Sequence, residues 1–264
     1  MSTAPLKPRH IAPDSGFVDL VAPSPNIGAR RGGGSIDYLI LHYTGLETAR
    51  RSLEVLCDPR CEVSCHYLID VDGTVTQMVA ESDRAWHAGL SSWHGVEDIN
   101  SHSVGIEIQN PGHANGYPAF PEAQMTAVEA LASDIVERNR IRPENVLAHS
   151  DIAPQRKIDP GEKFDWARLA DAGIGHWVQP RSVNGKALVL DICDARPDAR
   201  VAHLQELLAT YGYRVAREGV LDPATTKVIA AFQRQFRPAL VNGLPDASTI
   251  GTLEDLIDAL SRPT

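Results

Sequence analysis

A chain of 264 residues with 43% apolar and 22% charged residues is long enough to bury a core and to divide into one large and one small domain. Its 25 basic against 34 acidic residues give a formal charge of -9, which argues against a nucleic-acid partner held by phosphate neutralisation. Four cysteines, Cys57, Cys61, Cys65 and Cys193, are too few for a disulfide framework and lack the paired spacing of zinc ribbons, so they read as small packing residues.

Residues 1–34 are rich in Pro and Gly, end in Gly32-Gly33-Gly34, and read as an irregular N-terminal arm. The arm contains no apolar run that could form a signal-peptide core, and no later segment reaches the roughly 20 apolar residues of a membrane span. The expectation is therefore a cytoplasmic protein, with the periplasm as the alternative.

The run Ser35 to Tyr43 is apolar and rich in β-formers, as expected of a strand buried on both faces, with His42 at its end. Ser64–Asp70 and Thr74–Val79 flank an Asp72-Gly73 turn signal and predict a hairpin. In Ser103–Gln109 the residues alternate, so Val104, Ile106 and Ile108 face one way while Gly105, Glu107 and Gln109 face the other. From Pro121 to Arg140 the apolar spacing is helical; Val146–His149 reads as a short strand, and the segment after Asp165 as a capped helix. Residues 179–196 read as a linker. Helices follow at about 199–211, 223–236 and 247–260, divided by Gly- and Pro-containing turns.

Nine of the ten histidines lie at or before residue 176, which assigns any chemistry to residues 35–178. His149, Lys157 and Asp159 fall together in a turn-rich stretch. With His42 they offer three nitrogen or oxygen donors, His42, His149 and Asp159, for a tetrahedral Zn2+ with its fourth position open to water. Glu107 then suits proton transfer and Lys157 suits stabilising a developing oxyanion. Each residue also has a plainer reading: a histidine at a strand end is often only hydrogen-bonded, a strand glutamate only solvated, and a lysine beside Arg156 only surface charge. The combination is what favours chemistry.

Four segments in order, the first around His42, then Arg84-Ala-Trp-His-Ala-Gly89, Ser103–Ile108 and His149–Gly161, resemble the zinc-dependent N-acetylmuramoyl-L-alanine amidases. The resemblance covers about residues 35–170 and implies an α/β fold, a mixed central β-sheet flanked by helices, as in T7-type lysozyme and peptidoglycan recognition proteins. It implies zinc on His42, His149 and Asp159, catalysis by Glu107 and Lys157, and Ala85, Trp86 and His87 along a substrate groove. Trp86 has a plainer reading as a core aromatic. Some branches place a catalytic tyrosine where this chain has Cys65, which leaves the acid-base task to Glu107 and Cys65 to packing.

Residues 197–264 resemble a peptidoglycan-binding three-helix module, through Leu204-Gln205, Phe232-Gln233 and Asn242-Gly243 among others. The resemblances together imply a monomeric amidase that cleaves N-acetylmuramic acid, in its 1,6-anhydro form, from L-Ala of the stem peptide during wall recycling. The alternatives are an envelope amidase acting on intact peptidoglycan and a non-catalytic binding protein. Removing everything after about residue 180 is expected to spare cleavage of soluble fragments.

Overall fold

The structure, a computed structural model, describes residues 11–182 and 196–261. The first ten residues of the arm, most of the 179–196 linker and Cys193 lie outside the described residues.

The elements run β1 (Leu20–Val21), β2 (Ile27–Ala29), β3 (Tyr38–Tyr43), α1 (Ala49–Leu56), β4 (Tyr67–Ile69), β5 (Val75–Gln77) and β6 (Asp83–Ala85). They continue with β7 (Ser103–Ile108), α2 (Glu122–Asn139), β8 (Val146–Ala148), α3 (His149–Ile152), α4 (Trp166–Asp171), α5 (Ala199–Tyr211), α6 (Pro223–Phe236) and α7 (Ala247–Leu260). Six strands form one mixed sheet in the order β1-β5-β4-β7-β3-β8, and β2 pairs with β6 in a separate antiparallel ribbon. The strands β4, β7, β3 and β8 are mutually parallel, while β5 runs antiparallel to β4.

The arm departs from its expected irregularity, because β1 adds to the sheet edge through Leu20↔Thr76 and β2 pairs with β6. Strands of two or three residues carry no readable period; a neighbouring edge makes them. Helix α1 also escaped the sequence pattern. Its inward positions are Ala49, Ser52 and Leu56, so small and polar residues hide the helical repeat, and Thr48 caps it by accepting the Arg51 N–H at 3.2 Å.

The hairpin forms where expected. Gly73 takes φ 90°, and a Cβ there would lie 2.8 Å from the Ala123 carbonyl oxygen, so the turn needs glycine both to bend and to pass under α2. Asp165 caps α4 through the Arg168 N–H at 3.0 Å. Strand β7 lies inside the sheet, since β4 and β3 pair with it on either side.

Alternation divides the sheet residues between two faces. Leu39, Leu41, Tyr67, Ile69, Val104, Ile106 and Ile108 form a continuous core with Val128, Leu131 and Ile135 of α2. Each such fully buried aliphatic contributes about 1.5–3 kcal/mol. On the other face Tyr38, Ile40 and Leu147 pack against Leu204, Leu208, Phe232 and Phe236 of the C-terminal helices, and Leu68 packs separately with Leu56 of α1.

The three C-terminal helices begin at aspartates whose carboxylates accept backbone N–H groups, from Arg200, Thr225 and Thr249. Two buried glutamines stitch the turns between them: Gln205 bonds Gly219 N and Val220 O, and Gln233 bonds Asn242 N, Gly243 N and Leu244 O. These helices share a core with the sheet. The Tyr213 hydroxyl donates to Asp151 Oδ1 at 2.7 Å, and the other oxygen of Asp151 accepts the Ala148 N–H at 2.8 Å. Truncation near residue 180 would therefore uncover Ile40, Leu147 and Ile152.

Candidate metal centre

His42 has the same parity along β3 as Tyr38 and Ile40, so it faces the side of the sheet away from α2. The parallel register pairs His42 with Glu107, which places both side chains on that face near the C-terminal ends of their strands. That end of a parallel sheet is where crossovers open a crevice. His149 follows directly, as the first residue of α3 beyond β8. Asp159 returns beside it because the Ser150 N–H donates to the Asp159 carbonyl at 3.0 Å and the intervening chain turns over Ala153.

Gly161, two residues on, has φ 84°, and a Cβ there would lie 2.7 Å from the His113 ring. The Tyr117 hydroxyl donates to the neighbouring Pro160 carbonyl at 2.7 Å, which fixes the loop.

Three donor atoms converge. His42 Nδ1 and His149 Nδ1 are 2.8 Å apart, and Asp159 Oδ2 lies 3.0 Å from the second and 3.3 Å from the first. All three residues are at most 5% exposed. Ligand bonds of about 2.0–2.1 Å in a tetrahedron imply donor separations of about 3.3 Å, so the set fits one small cation with little adjustment. A nitrogen, nitrogen, oxygen donor set of this kind can hold a metal ion.

The electrostatics agree. Burial, and then His149, push His42 down to about 4, which keeps it a neutral donor. Burial alone would raise Asp159, but the His149 and His42 imidazoles hold its carboxyl well below the ordinary range.

Glu107 lies beside this cluster with Oε2 buried and unpartnered among the described residues. Burial first, and the Asp159 charge second, raise its carboxyl well above the usual value, against an opposing influence from Lys157. Lys157 is partly exposed, and its ammonium acts on both Glu107 and His42. The five residues expected to do chemistry are thus brought together.

The residues expected along a groove run on from the end of β6 and differ in exposure. Ala85 is fully buried in the cluster containing Cys65 and Met78, and its backbone pairs with Ile27. The Trp86 N–H and carbonyl are both occupied by Ser64, at 2.9 and 3.2 Å, although its ring is partly exposed. His87 is 6% exposed, and its two ring nitrogens contact His42 Nε2 and Ser103 Oγ. The ring nitrogens of His87 are thus engaged by His42 and Ser103, and the Ala85 side chain is enclosed in the core.

Cys65 is buried, with its thiol raised by burial and then by Glu107. His66, which sequence reasoning passed over, accepts the Gly105 N–H on Nδ1 at 3.0 Å and contacts the Asp83 carbonyl through Nε2 at 3.2 Å. Asn100 was also missed. Glycine at 105, inside an otherwise bulky strand, was the one available signal, since a Cβ there would lie 2.7 Å from the His87 ring.

Comparison with known proteins gives the same region a context. Residues 32–162 match the family model described as N-acetylmuramoyl-L-alanine amidase, and residues 197–253 match a peptidoglycan binding domain model. The chain is 40% identical over 237 residues to the N-acetylmuramoyl-L-alanine amidase AmiD of Escherichia coli, covering 84% of this chain and 83% of AmiD. It is 34% identical over 163 residues to the 1,6-anhydro-N-acetylmuramyl-L-alanine amidase AmpD of Haemophilus influenzae, covering 55% of this chain and 86% of AmpD.

Two solved structures align over nearly the whole fold. The complex of Escherichia coli AmiD with anhydro-N-acetylmuramic acid-L-Ala-D-gamma-Glu-L-Lys has a TM-score of 0.71 at 38% identity, covering 92% of this chain and 93% of that one. AmpDh3 of Pseudomonas aeruginosa in complex with anhydromuramic pentapeptide has a TM-score of 0.71 at 30% identity, covering 98% and 99%.

Proposed function

The chain belongs to the N-acetylmuramoyl-L-alanine amidase family, and from that premise we propose that it hydrolyses the amide joining 1,6-anhydro-N-acetylmuramic acid to L-Ala of the stem peptide, in cell-wall recycling. The observation that carries the reading is the convergence of His42 Nδ1, His149 Nδ1 and Asp159 Oδ2 beside a carboxyl, that of Glu107, with an unpartnered buried oxygen. The two relatives whose structures are complexes with anhydro-muramyl peptides support the substrate form.

In this reading His42, His149 and Asp159 hold Zn2+. When bound, the ion polarises the carbonyl and lowers the pKa of water. Glu107 takes a proton from the attacking water as the new C–O bond forms. It returns the proton to the nitrogen of L-Ala as the C–N bond breaks. Lys157 stabilises the negative oxygen of the tetrahedral carbon.

Residues 35–178 carry this chemistry, residues 179–196 link, and residues 197–264 contribute a helical unit that engages peptidoglycan or its fragments. We take the working form to be a monomer in the cytoplasm, to be checked by sedimentation and by fractionation of the native cell. Among the described residues no helix is long and apolar enough to cross a membrane.

The test is mass spectrometry of products from soluble anhydro-muropeptide and from intact sacculi. Release of free stem peptide with an L-Ala amine from the soluble substrate is expected. Cleavage within the peptide would refute the bond assignment, and turnover of sacculi alone would refute the substrate form.

A further inference from the structure

Each imidazole of the metal centre has a second nitrogen, and both second nitrogens end on the same two adjacent residues. His149 Nε2 lies 3.3 Å from the Ala88 carbonyl oxygen, and His42 Nε2 lies 3.0 Å from His87 Nδ1. A carbonyl only accepts, so with its proton on Nε2 directed at Ala88 His149 keeps Nδ1 as a lone pair; the Arg156 guanidinium, 3.4 Å from the same nitrogen, donates to the Ala88 carbonyl as well. For His42 the matter is decided one step away. His87 Nε2 is 3.1 Å from Ser103 Oγ; with its proton donated there, His87 Nδ1 accepts from His42 Nε2–H and leaves His42 Nδ1 free as a donor to a metal.

Residues 87 and 88 are themselves held by one atom. The His87 and Ala88 N–H groups both donate to Asn100 Oδ1, at 3.0 and 2.8 Å, and Asn100 is 6% exposed in the short turn that leads into β7. The same strand supplies the floor under the His87 ring at Gly105, where any Cβ would collide with it. One side-chain oxygen thus fixes the segment that sets the orientation and the proton position of both imidazoles.

We propose that Asn100 and His87 are positioning residues of the metal centre, which act on metal affinity through the His87–Ala88 segment and never touch the metal or the substrate. This rests on the proposed zinc site. Outer partners of this type typically alter metal affinity by about 10–100-fold.

The test measures Zn2+ affinity of the full chain by competition with a chromogenic chelator, together with the visible spectrum of the Co2+-substituted protein and the melting temperature of the metal-free protein. Asn100→Ala and His87→Phe are each expected to weaken Zn2+ binding by about 10–100-fold and to alter the Co2+ spectrum. Asn100→Asp keeps an oxygen at the clamp, and His87→Asn places an amide oxygen near the position of Nδ1; both are expected to stay within a few fold of the parent.

Equal affinity in all four variants overturns the proposal and leaves the zinc site standing. A loss in Asn100→Asp as large as in Asn100→Ala also overturns it, since the oxygen would then not matter. Absence of stoichiometric Zn2+ uptake by the parent chain itself would instead remove the zinc reading beneath it. Metal-free melting shows whether a variant has folded, and a variant that has not is replaced by its conservative counterpart in the comparison.

Discussion

The two faces of the central sheet are made by the same strands from alternate residues, and they are finished in opposite ways. Under α2 the face is unbroken: Leu39, Leu41, Val104, Ile106 and Ile108 form one core with the helix. On the other face the apolar residues separate into a cluster under the C-terminal helices and a cluster under α1. Between them lies a polar seam containing His42, His66, His87, Ser103, Gly105 and Glu107. The difference shows how one sheet supports both stability and chemistry. A continuous apolar layer fixes the strands, so the opposite side can keep buried imidazoles and carboxylates that only a hydrogen-bond network or a metal makes tolerable.

Substitutions can test that division. In the seam, Asp159→Ala should lose bound metal and turnover together, read by metal content and product release; an active, metallated variant would break the assignment. Glu107→Gln should keep the metal and lose about 10²–10⁴ in kcat. On the unbroken face, Leu131→Ala should cost about 2–5 kcal/mol in urea unfolding while metal affinity of the folded protein stays the same. Were the seam to lose its metal with that substitution, the two faces would not be separable.

At the boundary between the sheet and the C-terminal helices, Tyr213→Phe leaves Asp151 Oδ1 without its donor and should cost about 1–3 kcal/mol, measured as a lowered denaturant midpoint. A neutral result would mean that the shared apolar core alone joins the helices to the sheet.

A further effect concerns pH. Burial, and then the Arg30 guanidinium, push His66 down to about 3, so the folded protein refuses a proton that the unfolded chain takes up below about 6.5. The stability from keeping His66 neutral is complete above about pH 6.5 and is lost as pH falls toward 3. His66→Gln should flatten that acid limb relative to the parent; an unchanged slope would place the acid sensitivity elsewhere in the seam.

Long periodic segments were legible before any coordinates. Helix α2, the three C-terminal helices and the alternation of β7 all have enough repeats for side-chain chemistry to declare which face is apolar. The segments β1, β2 and β6 were not legible, because two or three residues hold no repeat and their pairing comes from a strand distant in sequence. The partners of Ala85 and His87, namely Ile27, Asn100 and Ser103, were not legible either, since no spacing in the chain marks them as partners.

What the sequence by itself determined was a candidate donor set, His42, His149 and Asp159, because residue type fixes what a side chain can ligate. What the tertiary structure alone decided was which nitrogen of each imidazole meets the other donors and whether the C-terminal helices stand apart. Both are settled by contacts between residues far apart in the chain, Asn100 with His87 and Ala88, Tyr213 with Asp151, and no local pattern of residues can encode a contact whose two halves meet only when the chain has folded.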